Sequence, residues 1–388
     1  MNNFVFHNPT KIVFGEDTVD KLAEEINQYG KNILLCYGQS SIKRIGLYDK
    51  VIDQLESIDA NVYELSGIEP NPKLSSVHEG VKLCKNHAID MILAVGGGSV
   101  IDASKGIAVG AKYNGDVWDF YKTDKPIEDA LPLSTILTLP ATGTEMNGNS
   151  VVTNWETNEK LDIYSSHVFP KFSILDPKVT YTIPKEHTAN GIIDIIIHVC
   201  EQYFSPTENT SLQDRFSESI IKTVIENAYK VLEEPNNYEA RANIMWSGTW
   251  ANNHSIGMGK VQDWASHMIE HEVSAISDVA HGAGLAVIHP RWMKYVVENN
   301  VDKFKKFAVR IWDIDPSNHS DLEVAQKGID KLADFYRDMG APIYLHELEV
   351  EKEDIPVMAE NATRNGEIGG FKKLNQKDVE NIFKMCLK

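Results

Sequence analysis

Two residue pairs, each spaced by four, carry the strongest chemical signal in the chain. Asp194 and His198 lie in GIIDIIIHVCEQ, and His267 and His271 lie in DWASHMIEHEVSA. Residues i and i+4 of a helix share one face, and the isoleucines around the first pair put that face in the interior. A lone carboxylate is costly to desolvate, so Asp194 needs a partner there. His281 follows in VAHGAGLAV, flanked by glycines and small apolar residues. One carboxylate and up to four imidazoles on apolar segments suit a divalent transition metal such as Fe²⁺ or Zn²⁺. The spacing of His254 does not distinguish it, and the other histidines lie in polar segments.

A second signal is glycine-rich. MILAVGGGSVIDASKGIA sets Gly96, Gly97, Gly98 and Ser99 between an apolar strand and a helix. Glycines let backbone approach a pyrophosphate closely, and free amides at a helix start offer donors and a favourable dipole. The run is not the ordinary G-x-G-x-x-G fingerprint. Asp102 and Lys105 follow within the first turns, and Asp102 is too far along to cap the helix, which suggests a ribose or amide contact. After an earlier strand, Gly38-Gln39-Ser40-Ser41 precedes Lys43 and Arg44. An acid at such a turn would bind the ribose 2′-hydroxyl and repel a 2′-phosphate. Hydroxyls and cations in its place favour the phosphorylated dinucleotide.

These residues must be carried on ordered elements. Asn32–Tyr37, Asn61–Leu65, Met91–Val95 and Leu133–Leu139 read as strands, with helices over 47–55 and 75–86. Fully apolar strands alternating with helices imply a parallel sheet covered on both faces. Beyond Ser173–Pro184 only helical stretches remain, over 212–232, 238–252, 261–273 and 322–339. The expected organisation is an α/β dinucleotide-binding domain over residues 1–180 and an all-helical metal-binding, catalytic domain over 181–388.

Composition excludes other classes. Lys plus Arg number 38 against 56 Asp plus Glu, a net charge of −18, which repels nucleic acid and anionic lipid. No apolar run reaches the roughly 18–20 residues of a membrane span. The start, MNNFVFHNPTKIVFG, lacks the pattern of a secretory signal. Four cysteines without paired spacing argue against a disulfide framework and for the cytoplasm.

Together these motifs resemble the group III, iron-containing alcohol dehydrogenases, nearest to their NADPH-dependent butanol dehydrogenase and aldehyde reductase branch. The likeness runs through FHNPTKIVFG, YGQSSIKRIGLYDKV, GIEPNP, AVGGGSVIDASKGIA, LPATGTEMN and IGGFKKL. It implies a dehydroquinate-synthase-like fold and metal ligands Asp194, His198, His267 and His281. It makes His271 an extra active-site histidine outside the ligand set, suited to relaying the alcohol proton. It implies dinucleotide contacts at Gly38, Ser40, Gly96, Gly97, Gly98, Ser99, Asp102, Thr138, Leu139, Thr142 and Lys160, with Ser41, Asn71 and Asn147 as weaker candidates. The chain departs from the pattern at Gln39, where many members have glycine, and after Lys160, which Leu161 and Asp162 follow.

The reaction so implied is hydride transfer between NADP(H), or less readily NAD(H), and a small neutral primary alcohol or aldehyde such as butanol or butanal. Trp264, Phe120 and Trp118 are candidate walls for an aliphatic tail. A dehydroquinate-synthase-like lyase would need several Lys and Arg at the site, and Lys260 alone lies close to His267 in sequence. The same residues would also suit a glycerol dehydrogenase or a catalytically silent metal-binding protein. A homodimer is expected, with FVFHNPTKIVF supplying a strand that pairs across it.

Overall fold

The computed structural model describes all 388 residues. Eight strands form: β1 Lys11–Phe14, β2 Asn32–Tyr37, β3 Asn61–Leu65, β4 Met91–Gly97, β5 Leu133–Leu139, β6 Asn149–Asn154, β7 Glu159–Tyr164 and β8 Phe172–Leu175. Six of them make one sheet in the order β1-β8-β5-β4-β2-β3, every pairing parallel. β6 and β7 form a separate antiparallel hairpin. Alternate residues of β2 explain its unbroken apolarity. Ile33, Leu35 and Tyr37 enter the core on one face, and Leu34 and Cys36 the core on the other. With both faces covered, a strand has no place for polar alternation.

The main helices are α1 Leu47–Glu56, α2 Leu74–His87, α3 Gly98–Ala111, α4 Lys185–Tyr203, α5 Ser211–Glu233, α6 Tyr238–Ala251, α7 Ala265–Ser277, α8 His281–Val296, α9 Val301–Ile311 and α10 Asp321–Asp338. The chain divides into two compact units. One comprises His7–Ile183 and Glu233–Asn253, the other Met1–Phe6, Pro184–Leu232 and His254–Lys388. The chain passes from the sheet unit to the helical unit at Ile183/Pro184, close to the expected boundary near residue 180, and two further segments, Met1–Phe6 and Glu233–Asn253, lie in the opposite unit from the residues around them in sequence. α6 belongs with the sheet, because Met245 joins the core around Ile107 and Leu137 and the Thr249 hydroxyl donates to Glu145 at 2.6 Å. Met1–Phe6 belongs with the helices, where the Asn2 amide donates to the Gly259 carbonyl at 2.8 Å.

The opening segment supplies an edge strand of the sheet. Its strand, β1, pairs within its own sheet, with β8. The preceding residues are exposed: Phe4 at 49%, Val5 at 97% and Phe6 at 44%.

Candidate metal centre and dinucleotide turn

In the helical unit, α4 is buried at every residue from Thr188 to Tyr203, so Asp194 and His198 sit one turn apart in an apolar interior. α7 brings His267, and its left-handed C-cap at Asp278, with φ 50°, ends the helix shortly before α8 starts at His281. Gly282 allows this approach, since a Cβ there would fall on the Asn190 carbonyl of α4.

The side chains converge on Asp194. Its Oδ1 lies 3.2 Å from His198 Nδ1, 3.7 Å from His267 Nε2 and 3.9 Å from His281 Nε2. The rings of His198 and His267 are 4.5 Å apart at their centroids, those of His267 and His281 5.2 Å. Asp194 Oδ1, His198 Nδ1 and His267 Nε2 are buried without a hydrogen-bond partner. Buried polar atoms are nearly always satisfied, and a carboxylate oxygen among imidazole nitrogens is what a divalent cation satisfies. The residues fit such an ion.

Electrostatics agree. Burial alone would raise the Asp194 carboxyl, but the imidazoles of His198, His267 and His281 hold it well below the usual carboxylate range. Burial pushes His198 down to about 4. His267 goes the other way: burial opposes its charge, but Asp194 and Glu201 outweigh that and raise it to about 9.

His271 falls outside the Asp194 group and forms a neighbouring one with Glu270 and His281. Its ring is 5.8 Å from that of His281. Trp264 lies beside the centre, 5.2 Å from the His267 ring. Trp118 and Phe120 belong to the core of the sheet unit, where Trp118 stacks on Tyr121.

In the sheet unit, β4 ends at Gly97 and α3 begins at Gly98. A Cβ on Gly98 would lie 2.7 Å from the Thr142 side chain, and one on Gly97 3.0 Å from Leu139 Cβ. Gly38 follows β2, Thr138 and Leu139 end β5, and Ser40 and Ser41 open a short helix over Ser41–Arg44. These candidates therefore gather at the carboxyl ends of neighbouring parallel strands, the usual ligand edge of such sheets. Lys160 and Asn71 form a buried pair, the ammonium donating to Asn71 Oδ1 at 3.1 Å.

Asp102 and Asn147 are engaged inside the protein. Asp102 Oδ1 accepts from the Thr144 hydroxyl at 2.5 Å and Oδ2 from the Val151 amide at 3.0 Å. Asn147 donates to the Asn252 carbonyl at 2.9 Å and accepts from Lys105 at 3.0 Å. Lys105 is the residue sequence reasoning underrated. Its ammonium, fully buried, donates to the Thr144 carbonyl (2.8 Å) and hydroxyl (2.6 Å), the Asn147 carbonyl (2.9 Å) and side chain, and the Asn149 carbonyl (2.7 Å). A lysine three residues after an aspartate on an otherwise apolar helix was the available clue. Glu201 and Glu270, also fully buried, were missed outright.

Comparison with known proteins identifies the family. A family model described as iron-containing alcohol dehydrogenase matches residues 9–177, and one for the C-terminal part of the Fe-containing alcohol dehydrogenase family matches 188–387. The chain is 50% identical, over 100% of both proteins, to a probable NADH-dependent butanol dehydrogenase 1 of Bacillus subtilis. It is 39% identical, over 94% of each, to the NADPH-dependent aldehyde reductase YqhD of Escherichia coli. The crystal structure of NADH-dependent butanol dehydrogenase A from Thermotoga maritima superposes with a TM-score of 0.96 at 42% identity, covering 100% of this chain and 99% of that one.

Proposed function

We propose, since the chain belongs to the iron-containing alcohol dehydrogenase family, that it interconverts short-chain primary alcohols and aldehydes, butanol and butanal among them. The observation that carries this reading is the approach of His198, His267 and His281 to one Asp194 oxygen within 3.9 Å. When bound, the coenzyme supplies or accepts the hydride and a divalent cation, Fe²⁺ or Zn²⁺, polarises the substrate oxygen as a Lewis acid.

The chain's own residues do the rest. Asp194, His198, His267 and His281 hold the cation. His271 takes up the alcohol proton and passes it towards water, a task suited to an imidazole. Trp264, 5.2 Å from the His267 ring, limits water beside the reacting carbon. The amides at Gly98 and Ser99 bind the coenzyme's pyrophosphate. A small neutral substrate is supported by Lys260, whose ammonium is already held by Asp214 at 2.9 Å and is not free for a polyanionic sugar acid.

For the coenzyme we favour NADP(H), because Ser40, Ser41 and Arg44 stand where an acid would repel a 2′-phosphate. NAD(H) is the second reading. The Lys43 ammonium lies over the Tyr48 ring at 4.4 Å, and relatives named NADH-dependent stand beside one named NADPH-dependent. The exposed Phe4–Phe6 segment supports a homodimer in which a second copy covers it. Four free, buried cysteines are consistent with the cytoplasm.

The test is consumption of NADPH and NADH with butanal, glycerol and a sugar-phosphate acid in turn. Turnover with butanal and a higher kcat/KM for NADPH is the expected result. A flat trace with every aldehyde and cation would refute the reading.

A further inference from the structure

We infer that Glu201 and Glu270 are positioning residues, each fixing one imidazole of the cation centre from behind. The inference rests on the proposed cation site and deepens it. Both carboxylates are fully buried, and a buried carboxylate is costly without a specific partner. Each has one. Glu201 Oε1 accepts from the backbone amide of His267 at 3.1 Å and faces its ring Nδ1 at 3.0 Å. Glu270 Oε2 lies against Nδ1 of His281.

The two contacts are equivalent in chemistry. In each ring Nδ1 meets a glutamate and Nε2 points at Asp194 Oδ1. A carboxylate at Nδ1 fixes the proton there, leaves the Nε2 lone pair for a cation, and raises the basicity of the ring. The same elements supply both ligands and supports. Glu201 stands on α4 with Asp194 and His198, and Glu270 stands on α7 one turn after His267.

Glu270 is itself held in place. Its Oε1 accepts the Ser274 hydroxyl, and Gly284 of α8 leaves it room, because a Cβ there would lie 2.6 Å from that oxygen. The neighbouring group of Glu270, His271 and His281 is thereby accounted for without a second ion: Glu270 grips the nitrogen of His281 that faces away from Asp194.

Titration of the metal-free full-length chain with Co²⁺ against a chromophoric chelator tests this, read as a dissociation constant and a visible absorption spectrum. Wild type is expected to bind one equivalent. Glu201→Gln and Glu270→Gln, which keep the acceptor and lose the charge, should bind roughly tenfold more weakly, and Glu201→Leu and Glu270→Leu roughly a hundredfold. The Co²⁺ bands should shift in all four variants, which a purely structural role would not produce. Ser274→Ala, a milder change that frees Glu270, should weaken binding roughly threefold and decides the case if the leucine variants fail to fold. Glutamine and Ser274 variants with wild-type affinity and an unchanged spectrum would overturn the inference and leave the cation site standing. Failure of wild type to bind one equivalent would overturn the site itself, and the inference with it.

Discussion

Lys105→Met isolates the buried ammonium that ties α3 to Thr144, Asn147 and Asn149. Burial pushes Lys105 from its ordinary 10.5 down to about 8, against the opposing pull of Asp102 and Glu145. At about 1.36 kcal/mol per pH unit, the charged native lysine carries a penalty of roughly 3 kcal/mol at neutral pH. The oxygens it meets on Thr144, Asn147 and Asn149 keep that penalty from being larger. Removing the ammonium strands them, and leaves the Asp102 carboxylate buried without its nearest cation. Breaking one side of such a network costs about 3–5 kcal/mol, so urea unfolding should show the variant weaker by that amount at pH 7. Because these oxygens belong to the segment that packs Thr142 on Gly98, coenzyme affinity should fall as well. The pH dependence gives a sharper test. Between about 8 and 10.5 the unfolded chain holds a proton on Lys105 that the native chain has released, so wild-type stability rises with pH through that window. The gap to the methionine variant should therefore widen by about 2 kcal/mol from pH 7 to pH 9.5. A constant gap, or a variant within about 1 kcal/mol of wild type that binds coenzyme normally, would refute the reasoning.

Further outcomes are expected from the same account. His271→Ala should lower kcat by about 10²-fold while elemental analysis finds its cation content unchanged; loss of the cation would make His271 a ligand. Cation affinity should rise about tenfold per pH unit below pH 9 and level off above it, because His267, raised to about 9, must release its proton first; chelator competition across pH measures the slope. Val5→Asp, placed on a side chain 97% exposed, should leave folding intact and shift sedimentation from dimer to monomer.

How much of this was legible in the sequence depends on whether a feature is local. β2, β4 and β5 were readable because both their faces are covered and their apolar runs are unbroken. β8, four residues long, is indistinguishable in sequence from the start of a loop. α6 was readable as a helix, but its membership of the sheet unit rests on Met245 and Thr249, contacts that leave no periodic trace. At the centre, His198 and Asp194 announce themselves by their spacing on one apolar helix. Glu201 lies on that helix three residues after His198, where it reads as an ordinary polar residue near a helix end; only the position of α7 makes it the partner of His267. Asp102 shows the reverse case. Its type stands out in the sequence, but its partners Thr144 and Val151, brought back by the chain after β5, do not.

The most direct test of the account is the cation content per chain of the purified protein, measured beside that of Asp194→Ala. About one equivalent in the wild type and almost none in the variant, with butanal reduction lost in step, is the predicted result. Undiminished butanal reduction by a wild-type chain stripped of every detectable metal would contradict it.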